Sequence, residues 1–399
     1  MSRLPRGRVP RLLILALALS LSGAAQAQPA AEIRIGFLAR KPPPPSATYS
    51  FDAVPEDEGL AGARLALKDN ATTGAFTGQR YRLDEVLLDE GASPVEAARR
   101  LVDGGTGILA ASLPAHDLLA VADALKDHDA IILNVAAPDD RLRGPDCRAN
   151  LLHLAPSRAM LTDALAQFLA TRRWRRLFLI VGPQPGDRLY ADAMKRAARK
   201  FGLSLAAEKP WDLGPLARAK ADSPTQAEAL TLTRGVDYDV AVVADEAGDF
   251  GDFVPYRTWD PRPVAGTQGL TPTSWHATHE AWGAAQLQSR FVRAANRAMR
   301  PLDYQAWLAV RAVGEAATRS KETGPKAIGR VMLDPGFDLA GFKGAPLSFR
   351  AWNLQLRQPV LLAQPMALVS VAPEAGFLHQ RTPLDTLGFD QPESACRLK

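Results

Sequence analysis

The chain has 399 residues, 47% apolar and 23% charged, with 48 basic against 43 acidic side chains and two cysteines. That length exceeds what one hydrophobic core usually organises and calls for two domains. The charge excess is local: Arg3, Arg6, Arg8 and Arg11 open the chain without an accompanying acid, and without them the balance is 44 to 43, so net charge gives no case for nucleic-acid or membrane-surface binding.

Those arginines precede an apolar stretch, LLILALALSLSG, and then Ala25-Gln26-Ala27. Positive charge, a short hydrophobic segment and small residues at alternate positions are what export machinery and its peptidase require, so residues 1–27 read as a secretory signal peptide. The apolar stretch is shorter than the roughly 20 residues a bilayer core demands, and no later segment is long and apolar enough to span, so a soluble, exported product is expected, most simply a monomer. Cys147 and Cys396 are then a candidate disulfide in an oxidising compartment. In the chain-entropy model a loop that long contributes up to roughly 5 kcal/mol; the alternative is two buried thiols.

Short runs rich in Ile, Val and Leu alternate with segments of helical period, as in parallel sheets layered with helices. EIRIGFLA (32–39) reads as a strand, EGLAGARLALKD (58–69) as a helix, YRLDEVLL (81–88) as a strand and SPVEAARRLVD (93–103) as a helix. Ser93, Pro94 and Glu96 form a start signal for that helix, with a cap, a first-turn proline and a capping-box acid. GILAA (107–111), a helix over 114–126 and AIILNV (130–135) continue the series. A second series follows NLLHLAPS: a helix over 161–171, strand RLFLIVG (176–182), a helix over 190–201, strand LSLAAE (203–208), a helix over 227–233 and strand DVAVVAD (239–245). Two long helical segments, 278–299 and 304–319, precede strand candidates LSFRAW (347–352) and MALVSV (366–371). Two successive β/α series predict an α/β fold with two doubly wound, Rossmann-like lobes.

KPPPPSATYSFDAVPEDE (41–58) breaks the rhythm, because its four consecutive prolines cannot donate ladder hydrogen bonds. It is a loop leaving the C-terminal end of the first strand, the end that faces a ligand crevice in open α/β sheets. Tyr49 and Phe51 either overhang that crevice or pack onto their own lobe.

The order IRIGFLA, GLAGARLALKDNATTGAFTGQRYRL, LLDEGASPVEAARRLVDGGTGILAA, NVAAPDDRL, LHLAPSRAMLTDALAQFLA and RLFLIVG followed by DRLYADAMKRAARKFG resembles type I periplasmic binding proteins, the branched-chain amino-acid and amide class of ABC importer components, over most of residues 32–320. DEAGDFGDFVPYRTWDPRPVAGTQGL and DYQAWLAVRAVGEAATRS resemble, more narrowly, the branch associated with PQQ-dependent alcohol dehydrogenase systems. The resemblance implies a periplasmic protein whose two lobes close by a hinge over a small molecule, with a membrane permease and an ATPase as partners and no cofactor. It also implies lobe 1 from residues 28–155 with about 270–335, lobe 2 from 156–269 with about 336–372, and a tail over 373–399. The alternative function is a non-transport accessory or maturation factor of a periplasmic quinoprotein dehydrogenase.

By the same resemblance, Ser112 and Leu113 after the third strand, and Ala136 and Ala137 after the fourth, stand where relatives offer hydroxyl and backbone N–H groups to a ligand carboxylate at helix N-termini. Pro138 falls at a threonine position and supplies neither group, which points away from an ordinary amino acid. Tyr190 matches a tyrosine that covers the ligand in relatives. Ser112 as a mere helix cap and Tyr190 as a packing residue are the plainer readings.

Asp245-Glu246-Ala247-Gly248-Asp249-Phe250-Gly251-Asp252 follows a strand and places four carboxylates in eight residues. The resemblance, in whose members an acid of this lobe often meets the substrate amine, implies Asp245 or Glu246 as the better candidates for a ligand ammonium group; a hard cation is the other possibility, though the spacing is not that of an EF-hand. Tyr256 and Trp259 could add an aromatic wall. His276, His279 and Glu280 lack the H-E-x-x-H order of a zinc protease and read as a polar helix face. No G-x-S-x-G, C-x-x-C, G-x-G-x-x-G or G-x-x-x-x-G-K-[ST] pattern is present, so no enzyme is expected.

Overall fold

The structure is a computed structural model that describes residues 2, 31–42, 54–212 and 226–398. The signal-peptide reading, Tyr49, Phe51 and most of the proline-rich loop lie outside these residues. The first sheet is built from β1 (Ala31–Arg40), β2 (Gln79–Leu88), β3 (Ile108–Ser112), β4 (Ile131–Asn134) and β5 (Leu151–His153), all parallel in the order β2-β1-β3-β4-β5. Helices α1 (Leu60–Thr77), α2 (Pro94–Asp103) and α3 (Ala115–Ala124) connect them. Ser93 caps α2 by accepting the Glu96 backbone N–H at 3.3 Å. Helix α1 outruns its expected end at residue 69 and stops where Gly78 takes φ +70°, a left-handed conformation that glycine adopts without penalty.

After α4 (Arg158–Thr171), the second parallel sheet comprises β6 (Arg176–Val181), β7 (Ser204–Pro210), β8 (Val240–Ala244) and β9 (Val264–Gly266) in the order β7-β6-β8-β9, with α5 (Pro185–Lys200) and α6 (Gln226–Thr233) between strands. Helix α5 starts five residues before the expected Tyr190, because Pro185 opens its first turn and Gln184 and Asp187 close a capping box. Next come β10 (Thr271–Thr273), α7 (Ala284–Ala295), α8 (Pro301–Ser320), α9 (Pro325–Met332), β11 (Leu339–Ala340), β12 (Pro346–Phe349), β13 (Leu356–Arg357), β14 (Val360–Gln364) and β15 (Ala367–Ala372). The helix expected from Thr278 begins only at Ala284. Gly283 has φ +83° and Trp282 φ 53°, so the chain turns there.

Four hydrophobic clusters cover the two faces of each sheet. Phe37, Ile108 and Leu133 pack against Trp307 and Val313 of α8 on one face of the first sheet; Leu38, Leu109 and Ile132 pack against Leu118 and Val121 of α3 on the other. In the second sheet Leu179 and Val242 face Leu165 and Met194, while Phe178 and Val243 face Trp211 and Tyr238. The inner strands of each sheet are thus buried on both sides, which is why β1, β3, β4, β6 and β8 read as apolar runs, while the edge strands β2 and β7 stay partly to largely exposed.

Among the described residues the chain passes between these cores three times. Leu154 belongs to the first core and Met160 to the second, Leu270 to the second and Trp275 to the first, Leu356 to the first and Val360 to the second. Lobe 1 therefore keeps the chain through β13. The expected return to lobe 2 near residue 336 comes some twenty residues late, because Leu339, Leu347, Phe349 and Leu354 all pack in the lobe 1 core.

Buried polar groups knit the crossings. Gln355 Nε2 donates to the carbonyls of His153 and Ala155 at 3.2 and 3.0 Å, and Gln358 Nε2 donates to Leu154 O at 2.6 Å. Lys343 Nζ donates to Gln358 Oε1 and Pro359 O at 2.8 and 3.0 Å. Burial holds the Lys343 ammonium well below its ordinary range.

Candidate functional site

In both lobes the C-terminal ends of the parallel strands carry the loops that meet at the boundary. Ser112, Leu113, Ala136 and Ala137 lie together on a shallow cavity of 490 Å³, with His116, Asp139 and Arg141 on its rim. Ser112 does not cap α3. The cap position is Pro114, and no side chain bonds there.

The loop after β4 is closed on itself. Asn134 Oδ1 accepts the backbone N–H groups of Ala136 and Ala137 at 3.1 and 2.9 Å, and Pro138 has none to give. Asn134 Nδ2 donates to Ala137 O and to His153 Nδ1, and His153 Nε2 donates to Leu142 O at 3.1 Å. This arrangement requires a neutral imidazole. Burial, followed by the Arg143 charge, holds the His153 pKa well below its usual value, and burial also brings the Arg143 guanidinium down to about 9. The backbone donors expected at Ala136 and Ala137 are therefore already occupied within the loop.

The acidic loop after β8 is likewise occupied from inside. Asp245 is 1% exposed. Its carboxylate accepts three backbone N–H groups, those of Asp249, Phe250 and Gly251, at 2.9, 3.0 and 2.7 Å. Glu246 is held bidentately by Arg158, Nε to Oε1 at 2.7 Å and the terminal nitrogen to Oε2 at 2.6 Å. The same guanidinium stands 3.3 Å from Asp139 on the loop after β4. Burial works against the Arg158 charge, but the bonds to Glu246 outweigh it and raise its pKa. Among the described residues no group of three or more His, Cys, Asp or Glu side chains could hold a metal ion.

Arg158 was not singled out from sequence, although Ser157 just before it does cap α4, accepting Met160 N–H at 3.2 Å. Its side chain is 8% exposed against 26% for Glu246 and 18% for Asp139, so the bridge is largely screened from water. A Cβ on Gly186 would come within 2.8 Å of Glu246 Oε2, so the opening turn of α5 closes tightly over this pair.

Tyr190 is 3% exposed and packs in the lobe 2 core, its hydroxyl without a hydrogen-bond partner among the described residues. Burial and then the Glu246 charge push its pKa above the ordinary phenol range. Trp259 sits elsewhere. Its backbone N–H donates to Thr233 Oγ1 at 2.8 Å and Arg234 lies over its ring at 4.5 Å. Thr233 and Arg234 end α6, at the opposite end of the sheet from the strand-end loops, so Trp259 is removed from the site. Tyr256 instead lines a cavity of 690 Å³ to which both lobes contribute, Gln268 from lobe 2 and Trp275, His276, Arg297 and Arg300 from lobe 1. His276 and His279 lie on a turn rather than on a helix face, and His279 Nε2 is bound to Phe342 O at 2.8 Å.

This chain, an α/β protein of two lobes, matches the family model described as periplasmic binding protein over residues 50–367. The chain belongs to the periplasmic binding protein family. That family is one of binding proteins rather than enzymes. Family membership implies the periplasm, and among the described residues no helix is long and apolar enough to cross a membrane. Among curated proteins, none matches this sequence.

Solved structures agree on the fold. The leucine-, isoleucine-, valine-, threonine- and alanine-binding protein of Brucella ovis, in its closed conformation, superimposes with TM-score 0.67 at 13% identity, covering 93% of this chain and 100% of that one. A branched-chain amino-acid ABC transporter periplasmic ligand-binding protein of Burkholderia xenovorans LB400 gives 0.65 at 14% identity, covering 85% and 95%. The solute-binding protein of an ABC transporter from Rhodopseudomonas palustris BisB5, in complex with 3,4-dihydroxy benzoic acid, gives 0.63 at 13% identity, covering 84% and 93%.

Proposed function

We propose that this periplasmic binding protein takes up a small organic solute other than a free α-amino acid between its lobes and passes it to a membrane permease driven by an ATPase. The observation that carries this reading is the occupancy of the groups a zwitterion needs. The N–H groups after β4 are bound by Asn134, Asp245 is saturated by backbone donors, and Glu246 is neutralised by Arg158. An ammonium group leaving water requires a desolvated acceptor in exchange, and neither of these two carboxylates offers one. A neutral solute makes neither demand, and a singly anionic one drops the ammonium demand and needs only donors, which the Ser112 hydroxyl can supply. The R. palustris neighbour carries an aromatic acid of that kind.

Ser112, with Leu113, Ala136 and Ala137 beside it on the same cavity, is proposed as the lobe 1 contact; from lobe 2 the Arg158–Glu246 pair faces the loop after β4 as a neutralised unit, while Tyr190 stays in the core. Closure is favoured only by the difference in solute contacts between the open and closed forms. The narrower resemblance of residues 245–270 and 303–320 supports a solute met in PQQ-dependent alcohol oxidation. It supports equally a role as an accessory of the dehydrogenase itself, and co-purification with that enzyme, with uptake indifferent to deletion, distinguishes the accessory from the importer subunit. Native mass spectrometry of protein isolated from its own periplasm, followed by calorimetry with the retained compound, tests the binding reading. A tightly bound free amino acid would overturn it.

A further inference from the structure

The segment after β15 is joined to both lobes. Asp385 is buried between Arg350 and Arg357, accepting from Nε of each at 2.9 and 2.8 Å, and Arg350 donates also to the carbonyls of Leu384 and Leu387 at 2.9 and 2.7 Å. Both arginines flank the β12–β13 connection, whose apolar residues pack in the lobe 1 core. The next residues belong to lobe 2. Leu387 enters its core, Gly388 N–H donates to Asp163 at 2.8 Å, Lys200 donates to Gly388 O at 2.9 Å, and Arg196 lies 4.6 Å over the Phe389 ring. The chain then returns to lobe 1, where Cys396 is bonded to Cys147 across a sequence separation of 249. Cys147 lies between Leu142 and Leu151, two residues of the lobe 1 core.

The last stretch has little slack. Residues 391–393 form a turn closed by a capping box with Asp390, whose carboxylate also pairs with His379 at 3.1 Å, and Cys396 N–H is bound to Ser394 Oγ at 3.3 Å. Three residues from Glu393 to Cys396 span at most about 10–11 Å even when fully extended. Beside this path, a cavity of 230 Å³ runs between Asp139, Asp140 and Arg141 of lobe 1 and Leu189, Asp192 and Arg196 of lobe 2, with Phe389 on its wall. The tail thus runs along one flank of the boundary where the lobes come together.

We infer that residues 373–398 and the Cys147–Cys396 bond form a strap that ties lobe 2 back to lobe 1 and limits lobe separation on this flank. Three crossings alone leave the hinge free to swing; the strap adds a covalent return from lobe 2 to lobe 1, so wide opening requires the bond to break, the Asp390-capped turn to melt or the Leu387–Phe389 contacts to let go of lobe 2. The inference rests on the reading of lobes that open and close about a solute. Its test is made without solute, so failure of the strap and failure of the binding reading are separate results.

The experiment compares the oxidised full mature chain with its C147S/C396S variant by small-angle scattering and by hydrogen exchange. The strap predicts a larger radius of gyration for the variant and exchange about tenfold faster at residues 153–157 and 355–360, with β3 and β8 still protected as in the parent. The Phe389→Ala variant, which keeps the bond, should stay close to the parent in both. Should the double serine variant not fold, the parent measured before and after reduction by a phosphine supplies the same comparison. Equal radius and equal exchange at the crossings in folded oxidised and unbonded chains would overturn the inference, as would faster exchange spread uniformly over both cores.

Discussion

Arg158 holds Glu246 through two parallel hydrogen bonds and stands 3.3 Å from Asp139, so one guanidinium at the start of α4 joins the loop after β8 to the loop after β4. Its planar fork suits this task in a way a lysine would not. Arg158→Ala leaves Glu246 and Asp139 facing each other without a counter-charge, and we expect a loss of about 2–3 kcal/mol in urea denaturation. Arg158→Lys should recover less than half of it. An unchanged midpoint in Arg158→Ala would show that the bridge does not contribute to the folded state.

Asp245 accepts three backbone N–H groups of its own loop. Asp245→Asn keeps the shape but replaces one acceptor oxygen by a donor that opposes an N–H, so we expect about 1–3 kcal/mol of destabilisation. Added Ca²⁺ or a lanthanide ion should leave the thermal midpoint of the parent unmoved, because ligand-induced stabilisation follows RT ln(1 + [L]/Kd). A rise of several degrees at millimolar ion would restore the cation reading of this loop.

The lobes were legible because their inner strands are apolar on both faces and their helices carry local start signals such as Ser93-Pro94. Short pieces with no such signal escaped: β9, β10 and β14 are three to five residues long, and the Gly283 turn hides inside a helical pattern. At the site, the loops were found from their place after strands. Their chemistry was not, because the decisive facts are pairings between residues 88 apart, as for Arg158 and Glu246, or side chain to backbone within a turn, as for Asn134. An acidic run reads the same whether its carboxylates face a solute or their own backbone.

Stability should fall on acidification through His153. Its folded pKa is depressed by burial and by Arg143, so the stability associated with its neutral form is present above the unfolded value of roughly 6.5 and is lost as pH falls below it, by up to about 1.4 kcal/mol per pH unit until the folded pKa is reached. His153→Gln, which retains a donor and an acceptor but does not titrate, should flatten the profile between pH 6.5 and about 5. Denaturation midpoints of both proteins across that range measure it. Parallel slopes would assign the acid sensitivity to other groups.

Helices α1 and α8 meet where Gly62 lies against the backbone of Asp303, and a Cβ there would overlap the Asp303 carbonyl. Asp303 cannot give way easily. Its carboxylate accepts the Gly59 N–H at 2.8 Å and the Arg300 N–H at 3.0 Å, and is paired with Arg297. Gly62→Ala improves helix propensity by about 1 kcal/mol, yet the overlap forces the helices apart along a packed seam, and overpacking of this kind costs about 1–3 kcal/mol or more. Net destabilisation is therefore expected, accompanied by weaker protection of the amides of α8 near its start. If Gly62→Ala proved more stable than the parent, propensity would outweigh the clash and the two helices would not be as close as described.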